Sequence, residues 1–203
     1  MKIVHTLSSF FRNPKIEINE FLVLAYRFCL LYVFYAIFRI VFFLMNASLF
    51  PNVDFAGFLQ ILQGGLLFDT CALIYINILY FIFYVFPLQW KFKAGYQKFL
   101  KALYLTINGI GFALNSVDLI YYRFILKRST FNVLDILKNE DNMGKLWLQF
   151  ILDFWYVALF FVAMMLLLSY GYSLFQPRKT QIKNSYVYAF TSLVVFAFIS
   201  PLS

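Results

Sequence analysis

Charge is scarce in this chain. Only 13% of its 203 residues are Asp, Glu, Lys or Arg, against about 25% in an ordinary soluble domain. Histidine occurs once, at His5, and cysteine twice, at Cys29 and Cys71. A metal cluster of the Cys/His type therefore cannot be assembled. The two cysteines sit in separate hydrophobic runs and are expected at different depths, as small apolar fillers and not as a disulfide. No stretch has the Gly-rich phosphate-loop or HExxH pattern, and no nucleophile, base and orienter set stands out. These residues alone cannot run hydrolysis or group transfer. A cleavable signal sequence is excluded too, because the first apolar run comes late, is too long and has no small-residue cleavage site after it.

Hydrophobic residues make up 63% of the chain and aromatic residues 23%, with 28 Phe and 15 Tyr. A soluble core of this size does not need so much aromatic surface, so the class is membrane protein. The expected fold is an all-α integral membrane domain, a five-helix transmembrane bundle. Residues 1–20 form a cytoplasmic lead-in. The spans fall at about 21–44, 66–86, 99–124, 146–174 and 185–203. Gly64-Gly65 is read as preceding the second span and Pro87 as following it, with Gln60 and Gln63 in an interfacial approach. Residues 129–145 are polar, with apolar residues at Phe131, Val133, Leu134, Ile136 and Leu137. They read as a short amphipathic helix lying on the membrane between helices three and four.

The net charge of +8 is a topology signal before it is anything else, and no nucleic-acid partner is expected. Alternating loops place Lys2, Arg12, Lys15, Lys91, Lys93, Lys98, Lys101, Arg178, Lys179 and Lys183 on one side, and Arg123, Lys127, Arg128, Lys138 and Lys145 on the other. The more basic side faces the cytoplasm, giving an N-in/C-out chain and making the amphipathic helix extracellular. Trp90 and Tyr96 suit an interfacial aromatic belt.

This orientation sets the depth of the polar residues inside spans. Arg39, Asp69, Asn115, Asp118 and Asp153 all fall in the outer third, with Asp69 in the first turn or so of its helix. A charge at a helix centre costs about 2.5–3.5 kcal/mol on insertion scales, and less toward the ends. On the third helix Asn108, Gly111, Asn115, Asp118 and Tyr122 recur at spacings of 3, 4, 3 and 4. They form one stripe that should face protein or a water-filled cavity. The residues point to a polar pocket opening to the outer leaflet. Arg39, with Arg123, Lys127 and Arg128 above it, would hold a lipid phosphate, because a guanidinium fork can bind two phosphate oxygens at once. The plainer alternative is that these groups pair with one another or snorkel to headgroups. Snorkelling is the expectation for Arg27, which lies about a turn and a half from the start of the first helix. Lys127 and Arg128, beside Ser129 and Thr130, also read as an ordinary headgroup-binding turn.

Three stretches resemble a known family: YRFCLLYVFYAIFRIVFFLMN, LLFDTCALIYINILYFIFYVFP and YQKFLKALYLTINGIGFALNSVDLIYYRFILKRST. The likeness lies in FD opening the second helix, N-x6-N-x2-D in the third and YYRF…KR after it. It is to the N-terminal membrane domain of the lipoteichoic acid synthase family, bacterial sulfatase-like transferases of phosphoglycerol and phosphoethanolamine. The resemblance implies a five-span domain in the bacterial cytoplasmic (inner) membrane, followed by an extracellular sulfatase-like domain that this sequence does not contain. In the family that second domain carries the catalytic threonine and a divalent metal, often manganese, so no catalytic or metal-binding residue and no cofactor is expected within these 203 residues. The expected role is membrane anchor and outer-leaflet lipid platform of an envelope transferase, inactive by itself. Its expected partners are anionic phospholipids and envelope-synthesis proteins. Two other readings stand beside it. One is a small transporter or flippase-like protein using the Asn108–Asp118 stripe, against which no inverted repeat is detectable. The other is a non-catalytic membrane scaffold.

Overall fold

The computed structural model describes residues 16–86, 89–125 and 154–178. A short strand, β1 (Ile16–Ile18), leads into α1 (Glu20–Met45). A 3-10 turn over Ala47–Leu49 and an extended stretch connect to α2 (Phe55–Val85). A second 3-10 turn, Gln89–Phe92, precedes α3 (Ala94–Ile125). The described chain closes with α4 (Trp155–Leu174) and β2 (Phe175–Pro177).

Among the described residues four helices are long and apolar enough to cross a membrane. The shortest, α4, has 20 residues, about 30 Å at 1.5 Å per residue and enough for a hydrocarbon core. Expected span 185–203, the amphipathic segment 129–145 and the start of the fourth span near 146 lie outside the described residues.

Local sequence accounts for both ends of α1. Asn19 caps α1, its side chain accepting from the Phe21 N–H (2.9 Å), and Glu20 puts an acid in the first turn, where the helix dipole favours it. No Gly or Pro interrupts the 26 residues that follow. At the far end the Asn46 amide donates to the carbonyls of Phe42 (3.0 Å) and, on α3, Leu119 (3.2 Å). It thus closes one helix and ties it to another.

The second helix departs from expectation. It begins at Phe55, well before 66, because Asp54 caps it by accepting from the Gly57 N–H (2.7 Å). Gly64 and Gly65 lie inside the helix, as do Gln60 and Gln63, and Asp69 falls near its middle instead of in its first turn. Lys98 and Lys101, expected in a loop, are on the opening turns of α3.

The helices alternate in direction. Tyr84 near the end of α2 donates to the Glu20 carbonyl at the start of α1 (2.9 Å). Lys101 near the start of α3 donates to Ser173 near the end of α4 (2.8 Å). Tyr104 on α3 donates to the Arg27 carbonyl on α1 (2.9 Å). Both α1 and α3 touch all three other helices, with the α3–α4 pair packed most extensively. Aromatic rings fill the seam: Phe112 of α3 meets Phe34, Tyr35 and Phe38 of α1 at centroid distances of 5.5, 5.8 and 4.9 Å. The outward faces stay apolar, as at Phe68, Tyr75 and Leu166.

The end of the lead-in to α1 is a strand. β1 pairs in parallel with β2, Ile16 opposite Phe175 and Ile18 opposite Pro177, and the Arg178 N–H donates to the Ile18 carbonyl (2.9 Å). Beside this pair Lys91 makes a buried ion pair with Glu20. Burial pulls the Lys91 ammonium below the usual lysine range, and the Glu20 carboxylate works against that shift. Cys29 and Cys71 are free thiols, as expected, but both are exposed and so do not serve as apolar fillers.

Candidate functional site

The polar residues of α1, α2 and α3 converge toward the Asn46 end of the bundle. Arg39 Nη2 donates to Asp69 Oδ1 at 2.8 Å, with the two side chains 11% and 12% exposed. A charge in a membrane span is costly alone, and each of these two supplies the other's counter-ion. Arg39 Nη1 makes a longer contact, 3.4 Å, to the Leu62 carbonyl.

Gly65 makes this geometry possible. A Cβ at that position would lie 1.0 Å from Arg39 Nη1, so the guanidinium rests on bare α2 backbone. Gly64 has nothing within 4 Å of the same construction.

The ion pair opens onto a cavity of about 270 Å³ whose polar lining is Tyr35, Arg39, Asp69, Asn115 and Asp118. Its apolar wall includes Phe38, Phe42, Phe68 and Leu114. The structure therefore brings together Arg39, Asp69, Asn115 and Asp118, which the sequence places on three separate helices. Arg123 lies in the last turn of α3. Its side chain, and all of Lys127, Arg128 and Asp153, fall outside the described residues.

The α3 stripe does not act as a unit. Asn108 exchanges amide hydrogen bonds with Asn77 of α2 (3.1 and 2.8 Å), which closes it off in the core. At Gly111 the Tyr35 hydroxyl packs against the backbone, 2.3 Å from where a Cβ would be. Asn115 donates to the Gly111 carbonyl (2.9 Å) and, with Asp118, lines the cavity. Tyr122 stacks on Phe50 and meets Phe42 edge-on. The stripe is thus divided: Asn108 is taken up by Asn77 in the core, while Gly111, Asn115 and Asp118 line the cavity.

Two residues of this site went unnoticed in the sequence. Tyr35 stands four residues before Arg39 on α1, so the two share a face. Its hydroxyl is buried and has no hydrogen-bond partner among the described residues. Gly65 was visible as a glycine but read as a helix boundary; the close approach of Arg39 is a long-range fact with no local pattern.

Arg27 also departs from expectation. It does not snorkel but is 1% exposed. Nη1 donates to the Tyr80 hydroxyl (2.8 Å), Nη2 reaches the Phe175 carbonyl (3.4 Å), and the guanidinium lies 3.6 Å from the Tyr172 ring centroid. Arg27 belongs to the opposite end of the bundle from Arg39.

Among the described residues no three His, Cys, Asp or Glu side chains gather where they could share a metal ion. No family model, curated protein or solved structure matches the chain.

Proposed function

We propose that this chain is the membrane anchor and lipid-headgroup platform of a sulfatase-like cell-envelope transferase, with five spans running N-in/C-out in a bacterial cytoplasmic membrane. The motif likeness to the lipoteichoic acid synthase family supplies the class. The observation that carries the site is the meeting of Arg39, Asp69, Asn115 and Asp118 around one cavity. Two of the motifs behind the likeness, FD and N-x6-N-x2-D, supply Asp69, Asn115 and Asp118.

The lining also bears on the headgroup. One guanidinium faces two carboxylates, and a neutral amide and the Tyr35 hydroxyl lie beside them. A headgroup with both a phosphate and a cation matches that set better than a purely anionic one. Arg39 and the tyrosine hydroxyl suit the phosphate oxygens, and Asp118 suits an ammonium. Phosphoethanolamine is thus favoured over phosphoglycerol. In this role the chain binds and orients the lipid, and the chemistry belongs to the family's extracellular domain.

The test is the lipid that stays with the full chain purified from bacterial membranes in mild detergent, identified by mass spectrometry. Phosphatidylethanolamine should be enriched over the bulk membrane in the wild type and fall to bulk proportion in Asp118→Asn and Asn115→Leu. Retained lipid of bulk composition in all three proteins would remove the platform reading.

A further inference from the structure

A second cavity, of about 490 Å³, lies at the end of the bundle that holds Glu20 and Ser173, opposite the Arg39 site. Its lining holds four cations, Arg27, Lys93, Lys98 and Lys101, and one carboxylate, Glu17. It gathers β1, the start of α3 and the end of α4 around the buried guanidinium of α1.

Arg27 is the informative member. It is 1% exposed, yet among the described residues no carboxylate pairs with it. Its partners are a hydroxyl, a carbonyl and the rings of Tyr172 and Tyr84. Its Nε is buried and has no acceptor among the described residues. Ring faces offset part of the cost of burying a cation, but a guanidinium stays protonated, and a buried charge without a counter-ion is expensive. Lys101 is held nearby by its bond to Ser173 (2.8 Å). Lys93 and Lys98 stand exposed at the mouth. The neighbouring Lys91, by contrast, already has Glu20 as its counter-ion. Four cations against one carboxylate leave this cavity with a surplus of positive charge.

We propose that this cavity binds a phosphate group, carried either by an anionic phospholipid headgroup or by a small phosphorylated solute. Arg27 provides the fixed charge at the base, Lys101 the wall, and Lys93 and Lys98 the mobile cations that close over the phosphate oxygens. Basic pockets between the ends of membrane helices hold anionic headgroups by the same chemistry. Gln97 and Gln176 add neutral donors for ester or hydroxyl oxygens.

The experiment is thermal unfolding of the purified full chain with two probes. One is inorganic phosphate in detergent, against chloride at matched ionic strength. The other is bicelles containing phosphatidylglycerol, against phosphatidylcholine alone. Lys93→Ala/Lys98→Ala is the comparison protein, because both side chains are exposed and their loss leaves the packing alone. Saturable stabilisation of the wild type is expected, with the half-saturating concentration raised about tenfold in the double variant, equivalent to about 1.4 kcal/mol. Stabilisation by both probes supports the site and identifies the phosphate itself as the recognised group. Stabilisation by phosphatidylglycerol alone supports it and assigns the phosphate to a lipid. No stabilisation by either probe, or the same curve for both proteins, overturns it.

Discussion

Arg39 and Gly65 form a pair in which one residue's position depends on the other's lack of a side chain. The Cβ of Gly65→Ala would fall 1.0 Å from Arg39 Nη1, and the arginine, flexible at its far end, must swing off Asp69 to make room. The expected cost is about 1–3 kcal/mol, as for other overpacked sites, together with loss of the retained lipid. Gly64→Ala, one residue away, meets open space. It should be neutral or stabilising by about 0.5–1 kcal/mol, as alanine replaces glycine within a helix. Unfolding of the two variants side by side in detergent checks this. Equal effects would mean that the arginine does not rest on that backbone. Arg27 shows the converse, a residue defined by what surrounds it. Its place near a helix start suggested a side chain reaching for headgroups. Tyr80, Tyr84 and Tyr172, drawn from two other helices, hold it inside instead, and nothing local to Arg27 announces them.

The spacing of α1 and α3 is set where the Tyr35 hydroxyl meets Gly111. In Gly111→Ala the new Cβ would lie 2.3 Å from that oxygen but 3.6 Å from the ring carbon behind it. The variant should lose about 1–3 kcal/mol. Tyr35→Phe in the same chain should restore most of the loss, since an ordinary contact distance returns. Tyr35→Phe alone removes a buried hydroxyl that has no partner among the described residues, so it should leave stability unchanged or raised while weakening lipid retention. A double-variant cycle read by thermal unfolding checks the coupling, and additive losses would count against it. The helices themselves were legible where an apolar run was unbroken: α1 was expected at about 21–44 and lies at Glu20–Met45. The start of α2 was not, because Gly64-Gly65 and two glutamines imitate a boundary. What carries the helix through them is a distant cap at Asp54 and a contact from another helix. The 3-4 spacing on α3 correctly put Asn115 and Asp118 on one face. It could not tell that Asn77 would close the same face farther along, at Asn108.

On the scale of the molecule, the four described helices that are long and apolar enough to cross a membrane are consistent with a multi-pass membrane protein, and the loop charges propose which way it runs. Asn52, exposed between α1 and α2, and Lys98, exposed at the start of α3, lie at opposite ends. In a chain whose Cys29 and Cys71 are replaced by serine, Asn52→Cys should react with an impermeant maleimide on intact cells. Lys98→Cys should react only after lysis. The reverse pattern would invert the orientation and move both cavities to the other leaflet. The parallel pairing of Ile16–Ile18 with Phe175–Pro177 escaped sequence reading because strands of three residues have no period and their partners lie far apart in the chain. That distance has a consequence for biosynthesis. Ile16 leaves the ribosome long before Phe175, so β1 waits without its partner while helix after helix is inserted. It can be clasped only when the chain has returned to the same face of the membrane. On the proposed topology the strand pair is a completion mark: it forms once the intervening helices have been threaded, and a chain that has missed one crossing leaves β1 without its partner strand.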